Sequence, residues 1–584
     1  MVNNYQQDEA KTKFSWHNLK RMMTYVKPYK KDFLVAFILG VIASIFLLFI
    51  PRIISFAIDV YFVEKNFLGI LLLTLLMLAL IMISLELTKI RRDKICIVLN
   101  KVANDLKIDI FKKLQSLPIT FFDTRSNGKI YTRVTTYPDD ASVILCYILL
   151  DIILEIINLI FVIIFMLIMN VKLALISIIL SSVLIIVFIF LAPIRRRLQH
   201  NLNDKQSNVN AYVSESIGGI RITQSFNRER KNEDILKELE ENRIKANRRI
   251  LYIGNLSWAC SGTFNLIGMA LVYYIGLNFM YPLVSIGTII AIDSYSSRFW
   301  GPIEYLMGSY NDIMDASTYL ERIFEILDEP VVIENKKGAK EITIKGNVIF
   351  NDVKFGYNPE KLVLDGFNLD IKAGEKIGLV GETGCGKSTI LSLLSRFYDV
   401  TSGSILIDNV DIRDIKLSSL RGGVSMMLQD NFLFQRSVYE NLVLARKVSL
   451  DEVIKICKTI GIHDMILSLE KGYDTILLNN GSNLSNGERQ LLCIARIMVQ
   501  NPKILILDEA TSNIDLKTER LITKALDLVT KDRTTIMVAH RMSTIKNCDK
   551  IVLVKDHVNF ECGTHKELMK LKKDYYKLYN SQSM

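Results

Sequence analysis

The fold of this chain is decided by the stretch "KIGLVGETGCGKSTILSLLSRF", which covers residues 376–397. A short apolar strand pattern leads into a glycine-rich turn, and a helical pattern begins directly after it. Gly381, four further residues and then Gly386-Lys387-Ser388 reproduce the Walker A spacing, and the order strand, turn, helix supports it. Glycines let the backbone wrap closely around a phosphate, with its N–H groups pointing inward. The stretch therefore predicts a phosphate-binding loop.

The loop positions have expected roles in nucleotide binding. Lys387 is expected to reach the β- and γ-phosphates, and the Ser388 hydroxyl is expected to bind Mg²⁺. The other loop residues expected to bind the nucleotide are Gly381, Glu382, Thr383, Gly384, Cys385, Gly386 and Thr389.

A second apolar strand, in "KILILDEATS" at residues 503–512, ends in two carboxylates. Asp508 suits the coordination shell of Mg²⁺, which prefers oxygen ligands. Glu509 is placed to orient or deprotonate the attacking water. Two acidic residues after a strand are common by themselves, but behind a phosphate-binding loop they indicate a hydrolytic site.

Two more strand patterns end in polar side chains. "TTIMVAHR", residues 534–541, ends at His540, which would by itself more often be a packing or capping residue. Together with the other motifs it is interpreted as a γ-phosphate contact. "VSMMLQD", residues 424–430, ends at Gln429, a weaker signal for a nucleotide and magnesium ligand. From about Asn347 such strands alternate with helices, which is typical of an α/β domain.

The segment "LSNGERQ", residues 484–490, is a predicted helix start far along the chain from the phosphate-binding loop. Ser485 followed by Glu488 has the spacing of a capping box. Helix starts bind anions, because their free N–H groups and the positive end of the dipole point the same way. Ser485, Gly487 and Glu488 are therefore candidate phosphate ligands, although Asn486 puts a side chain where a close approach would favour glycine.

The amino-terminal half has the composition of a membrane domain. Half of all residues are hydrophobic although 23% are charged, which indicates a chain divided between a lipid-embedded part and a polar part. A membrane span needs about 20 apolar residues. The candidate spans are Phe33–Ile58, Phe67–Ile90, Ser142–Met169, Val171–Ile194, Ile250–Phe279 and Val284–Tyr310.

Lysines and arginines are concentrated on one side of these spans. The amino end and the two long loops at about 91–140 and 195–249 carry most of them, and the other side has little more than Lys65 and Lys172. The positive-inside rule then places the amino end, both loops and everything after residue 310 in the cytoplasm. The net charge of +11 is mostly charge of these inner loops, so it does not indicate nucleic-acid binding. No cleavable signal peptide is apparent.

Two charged residues, Asp293 and Arg298, fall inside the last candidate span. They are predicted either to line a cavity or to form structural ion pairs with other helices. The eight cysteines show no metal-binding spacing and are interpreted as reduced thiols.

In this order the motifs resemble those of ATP-binding cassette (ABC) transporters, and specifically a bacterial exporter half-transporter. The resemblance extends from about residue 20 to the end. It includes the segments "FIPRIISFAID", "LPITFFDTRSNGKIYTRV", "ESIGGIRITQSFNRE" and "STYLERIFEILDEP" of the membrane half, the D-loop "SNID", and Tyr357 in "VKFGY". The family implies an all-α six-helix transmembrane domain joined to an α/β P-loop NTPase domain, with ATP and Mg²⁺ as cofactors.

The resemblance also implies a domain organisation and a site shared by two chains. The expected parts are a cytoplasmic segment 1–32, a transmembrane domain 33–325, a linker 326–346 and a nucleotide-binding domain 347–584. Tyr357 would stack on adenine, and the helix start at Ser485 would hold ATP bound to a second half-transporter. Short coupling helices in the two inner loops would touch the nucleotide-binding domains of a multi-pass protein of the cytoplasmic membrane.

Departures from the family pattern bear on the partner. The family expects Leu-Ser-Gly-Gly-Gln where this chain has Asn486 and Glu488, and Asn513 replaces the usual alanine of the D-loop. "TILLNNG" has Asn479 where a glutamate is common, whereas Lys387, Gln429, Glu509 and His540 are intact. This combination resembles the subunit of heterodimeric exporters that keeps the catalytic glutamate. A homodimer with a drifted signature is the alternative.

The leading function is ATP-driven export of amphipathic drugs or lipids across the bilayer. Peptide or lipid export by a homodimer is a second interpretation, and an ATP-gated channel or regulator is a third. The intact Glu509 and His540 argue against the third, because a gate does not need fast turnover. Import is disfavoured, since importers usually place these two domains on separate chains.

Overall fold

A computed structural model describes residues 15–358, 361–382, 384–427, 432–444, 446–508, 516–538, 545–556 and 558–583. The chain divides into two compact units. One contains the residues up to 115 together with 127–329, and the other contains 116–126 together with the residues from 330 onward. The short segment 116–126 thus belongs to the second unit although it connects two helices of the first.

In the first half of the chain, the described residues 15–329 form helices joined by short turns. Its helices are α1 (Trp16–Val26), α2 (Lys30–Phe56), α3 (Phe67–Ser116), α4 (Ile119–Asp123), α5 (Asn127–Val143), α6 (Leu149–Met169), α7 (Val171–Gly218), α8 (Ile220–Ser225), α9 (Glu229–Ile275), α10 (Ile286–Arg298) and α11 (Trp300–Asp328). Short π-helical segments continue α2, α5 and α9, at Ala57–Phe62, Ile144–Ile148 and Gly276–Met280. The inner loops are therefore largely extensions of the membrane helices.

Among the described residues, four helical segments are long and apolar enough to cross a membrane: Trp16–Phe62, Phe67–Ser116, Asn127–Met169 and Glu229–Met280. The helix bounds are consistent with six spans, and the count of six stays a prediction. Between α6 and α7 the chain reverses at Asn170, whose side chain accepts from the Leu173 amide at 3.1 Å. This cap allows the tight turn because it satisfies one of the free amides at the helix start.

Two arginines of the spans, Arg91 and Arg298, have different kinds of hydrogen-bond partner. Arg91 of α3 donates to Asp151 of α6 at 2.5 Å, in a pair that is largely buried. Arg298 donates to the Leu47 carbonyl of α2 at 3.0 Å. Within the described part of the chain, neither Asp293 nor Arg298 forms an ion pair, so the ion-pair interpretation of these two residues has no support. All eight cysteines are free.

The second unit is an α/β domain with two sheets. Its strands are β1 (Val348–Phe355), β2 (Leu364–Ile371), β3 (Lys376–Val380), β4 (Ser402–Ile407), β5 (Val410–Asp411), β6 (Val424–Met427), β7 (Ile504–Asp508), β8 (Thr534–Val538), β9 (Lys550–Lys555) and β10 (Val558–Gly563). Its helices besides α4 are α12 (Lys387–Leu394), α13 (Leu417–Gly423), α14 (Val438–Val443), α15 (Leu450–Ile460), α16 (His463–Leu467), α17 (Asn486–Gln500), α18 (Leu516–Thr530), α19 (His565–Leu571) and α20 (Asp574–Ser583).

The larger sheet positions the predicted site. Its order in the described residues is β10-β9-β3-β8-β7-β6, and all neighbours except β10 and β9 are parallel. The smaller, antiparallel sheet has the order β2-β1-β4-β5. Helix α12 packs into the core formed by strands of both sheets through Ile390, Leu391 and Leu394, which are fully buried. The fold class is therefore confirmed as a helical transmembrane domain plus an α/β nucleotide-binding domain.

Candidate functional site

The phosphate-binding loop leaves the sheet at the end of β3 and enters α12. Gly384 and Gly386 both have positive φ, at 87° and 101°, a region that glycine adopts without strain. Gly381 has φ 150°, and a Cβ atom there would lie 2.3 Å from the Val554 carbonyl oxygen. No larger residue fits at this position, so the glycines are required by the path of the loop itself.

Lys387, the first residue of α12, is buried and lies across the loop. Its ammonium group donates to the carbonyls of Gly381 at 2.8 Å and Glu382 at 2.7 Å, and it lies 3.5 Å from the Cys385 sulfur. The positive charge of Lys387 therefore lies at a glycine-rich turn, directly at the start of a helix. Both features favour an anion, so these residues fit a nucleotide phosphate.

The parallel strands bring the other motifs to the same edge of the sheet. Asp508 pairs with Val538 across β7 and β8, and Val538 pairs with Leu379 across β8 and β3. Two strand spacings separate Asp508 from Leu379, about 10 Å, and the phosphate-binding loop starts two residues after Leu379. Strand β6, which leads toward Gln429, lies on the outer side of β7. Sequence order alone does not reveal this juxtaposition.

Four of the predicted ligands lie outside the described residues: Thr383, Gln429, Glu509 and His540. The D-loop "SNID" at 512–515 also lies outside them. The strands that lead to the last three of these ligands are described, and they end at Met427, Asp508 and Val538. The predicted roles of these side chains stay predictions. Ser388 lies in the first turn of α12, with an exposed side chain.

Tyr357, the predicted adenine-stacking residue, follows β1 and presents its ring to solvent, with 57% of the residue exposed. Its hydroxyl shares a hydrogen bond with the Thr389 hydroxyl of α12 at 3.2 Å. More than half of this residue is therefore exposed beside the phosphate-binding loop.

Helix α17 begins as the sequence predicts. Ser485 is the N-cap and accepts from the Glu488 amide at 3.3 Å, and the Glu488 carboxylate accepts from the Ser485 amide at 2.8 Å. The capping box is thus confirmed. The Asn486 side-chain oxygen accepts from the Arg489 guanidinium, which also donates to the Asn480 carbonyl at 3.3 Å. The Asn486 side chain therefore bonds to a residue of its own helix, one turn further along.

No pattern in the sequence indicated Tyr398, which lies shortly after α12. Its hydroxyl donates to the carboxylate of Asp123 at the end of α4. Burial, and next the hydrogen bond to Asp123, raise the pKa of Tyr398, so the phenol is a protonated donor at neutral pH. A contact between residues so distant in sequence leaves no local pattern from which it can be read.

Comparison with known proteins now decides the family. Residues 33–303 match the sequence model described as the ABC transporter transmembrane region, and residues 364–512 match the one described as ABC transporter. YfiC of Bacillus subtilis (strain 168), an uncharacterized ABC transporter ATP-binding protein, is 34% identical over 98% of this chain and 95% of its own length. This chain belongs to the ABC transporter family.

Other relatives of this ABC transporter are described as exporters. A putative multidrug export ATP-binding/permease protein of Staphylococcus aureus (strain bovine RF122 / ET3-1) is 34% identical over 97% of this chain and 100% of that protein. The solved structure of a bacterial Atm1-family ABC exporter with ATP bound matches with a TM-score of 0.77 at 25% identity, over 97% of this chain and 99% of that one. The chain is an ABC exporter half-transporter with fused transmembrane and ATP-binding domains.

Membership in this family fixes the reaction and its setting. The exporter is a multi-pass membrane protein that couples ATP hydrolysis to transport, and it acts as a dimer in a lipid bilayer. ATP is its substrate and Mg²⁺ is the usual ion. When bound, Mg²⁺ neutralises charge on the β- and γ-phosphate oxygens.

Proposed function

We propose that this chain is one half of a heterodimeric exporter that moves amphipathic drugs or lipids across the cytoplasmic membrane. Its amino end and nucleotide-binding domain face the cytoplasm. The observation that carries the proposal is the intact phosphate-binding loop, with Lys387 held across it, in a chain whose signature departs from the family pattern. The multidrug-export names of the relatives support the substrate class.

The residues of this chain divide the hydrolytic work. Lys387 exchanges its hydrogen bonds to the Gly381 and Glu382 carbonyls for bonds to the β- and γ-phosphate oxygens, because a phosphate is the stronger acceptor. The Ser388 hydroxyl and the Asp508 and Gln429 side chains would hold Mg²⁺. Glu509 positions the attacking water and takes its proton. His540 donates to the γ-phosphate as negative charge builds there.

The start of α17 serves the other subunit of the dimer. Ser485 and the amide of Gly487 contact the γ-phosphate of ATP bound to the partner, and Glu488, whose amide donates to Ser485, positions that residue. Because Asn486 keeps the backbone from the closest approach, this second site turns over slowly. The partner then has an intact Leu-Ser-Gly-Gly-Gln signature and lacks the catalytic glutamate.

A homodimer is the second candidate, and one observation favours it. The Asn486 side chain bonds to Arg489, so it is directed back along α17. A signature held in this way leaves its amides accessible to a phosphate. Purification of the chain by itself separates the candidates, because strong ATPase activity without a second polypeptide rules out the obligate pair.

Glu509→Gln tests the hydrolytic role in the purified, reconstituted exporter. ATPase activity is expected to fall by about 100-fold or more, since a general base contributes about that much, while ATP affinity stays within about twofold because the phosphate contacts remain. Glu470→Gln, an exposed carboxylate of the same domain, is the matched control and should leave the rate unchanged. Residual turnover above a tenth of the wild-type rate contradicts the assignment.

A further inference from the structure

The segment 116–126 connects α3 and α5 but packs on the nucleotide-binding domain. Ile119 contacts the core of that domain, and Phe121 is buried, with the Arg125 guanidinium 4.2 Å above its ring. Asp123 of the same segment accepts a hydrogen bond from the Tyr398 hydroxyl. Apolar packing holds the segment in place, and one directional polar contact connects it to Tyr398.

The Tyr398 ring leads from this contact toward the ATP site. The residue is only 8% exposed. Its ring packs edge to face on Tyr357, with the two centroids 5.2 Å apart, and also contacts Phe355 at 5.6 Å. Edge-to-face pairs have a preferred orientation, so a shift of one ring changes the position of the other.

Tyr357 completes the path, because it is bonded to the helix of the phosphate-binding loop. Its hydroxyl shares the hydrogen bond with Thr389, two residues after Lys387, and more than half of the residue is exposed. Three successive contacts, Asp123 to Tyr398, Tyr398 to Tyr357 and Tyr357 to Thr389, therefore run from the inner loop to the nucleotide site within one compact unit.

The Arg396 side chain stabilises the turn that carries Tyr398. Arg396 is 2% exposed, and its guanidinium donates to Asp399 at 3.0 Å and to the Glu334 carbonyl at 3.3 Å. Arg396, on one side of residue 398, is therefore bonded to Asp399 on the other side and to the Glu334 carbonyl.

We propose that Tyr398 is a positioning residue that couples the first inner loop to adenine binding, receiving the loop through Asp123 and orienting Tyr357. This inference rests on the proposed adenine-stacking role of Tyr357. Coupling is reciprocal, so the loop position sets the affinity for the base of ATP, and ATP binding in turn steadies the segment 116–126.

The first experiment compares two ligands of the Glu509→Gln exporter, which binds ATP without turnover. Tyr357→Ala should weaken ATP binding about tenfold, since stacking on a base has about that effect. Tyr398→Leu should weaken it about threefold through loss of the ring pair. Neither change should alter binding of inorganic tripolyphosphate, because that ligand has no base.

The second experiment uses Tyr398→Phe, which removes only the hydroxyl, and Asp123→Ala, which removes the acceptor. Each should raise the KM for ATP without changing kcat, and the double variant should match the single ones, since all three break the same bond. Hydrogen exchange in residues 117–126 should slow when ATP binds to the Glu509→Gln exporter and should not slow once Tyr398→Phe is added. Tyr439→Phe, which loses a bond to the Val448 carbonyl elsewhere in the domain, should behave like the parent chain in both measurements.

The outcomes of these experiments test the role of Tyr398 separately from the adenine-stacking role of Tyr357. Unchanged ATP affinity in Tyr357→Ala overturns the adenine-stacking role. If Tyr357→Ala weakens ATP but Tyr398→Leu does not, the positioning role of Tyr398 is wrong. The positioning role is also wrong if ATP slows hydrogen exchange in residues 117–126 equally with and without the Tyr398→Phe substitution.

Discussion

Single residues of the ATP site follow from steric and electrostatic rules. Gly381 is required because a Cβ atom would meet the Val554 carbonyl. Lys387 is buried beside two carbonyls, and an ammonium group out of water needs such acceptors. The direction of the Asn486 side chain is different, because the sequence identifies the substitution but not its bond to Arg489.

Cys385 gives a test at this scale, because the residue is partly exposed and its sulfur lies 3.5 Å from the Lys387 ammonium. A maleimide attached there should block ATP hydrolysis by filling the phosphate cradle, and saturating ATP should slow the attachment. Mass spectrometry of labelled peptides measures both. Cys96 and Cys562, which are exposed, serve as internal controls whose labelling ATP should not change. Equal labelling of Cys385 with and without ATP contradicts its place in the loop.

At the scale of elements, the two inner loops end differently. The loop segment around α4 packs on the nucleotide-binding domain of its own chain. The segment around α8 belongs to the membrane unit and leaves Ile222 and Phe226 exposed, by 65% and 72%. Exposed apolar side chains close together mark an interaction surface, and in a dimeric exporter the partner subunit is available to cover it.

Ile222→Asp should therefore reduce ATP-driven transport of a fluorescent dye into inverted vesicles, because a buried unpaired carboxylate opposes the contact. We expect a loss of about tenfold, as a contact worth between 1 and 2 kcal/mol would give. Gln224→Asp adds the same charge to an exposed polar position of the same helix and should have little effect. Equal losses in both variants would mean that charge, not apolar contact, is what matters.

At the scale of the whole molecule, the subunit composition decides what Ser485 does. In the proposed heterodimer the start of α17 contacts only the slow site, so the fast site depends on the signature of the partner. In a homodimer the same residue would serve every site.

Ser485→Ala should then leave ATPase activity within about twofold in the heterodimer, whereas a homodimer should lose about tenfold, as the loss of one charge-assisted bond would predict. Thr564→Ala removes an equivalent capping box from α19. It controls for the stability lost with the cap, about 1 kcal/mol, which thermal unfolding measures. A tenfold loss in the purified two-chain complex would overturn the asymmetric arrangement.

The sequence by itself determined the elements and their chemistry. The motif at 381–388, the capping box at Ser485 and the apolar spans are local patterns, and local backbone rules and the cost of burying polar groups fix what they form. For the same reason the fold class could be predicted before any contact was known.

Only the tertiary structure decided which distant residues meet. The line of Leu379, Val538 and Asp508 across the sheet depends on strand order, which crossover connections set and sequence order does not show. The bond of Tyr398 to Asp123 joins residues 275 positions apart, and neither residue belongs to a local sequence pattern that would indicate the bond. Packing of many weak contacts at once selects such pairs, so no short stretch of the chain contains the information.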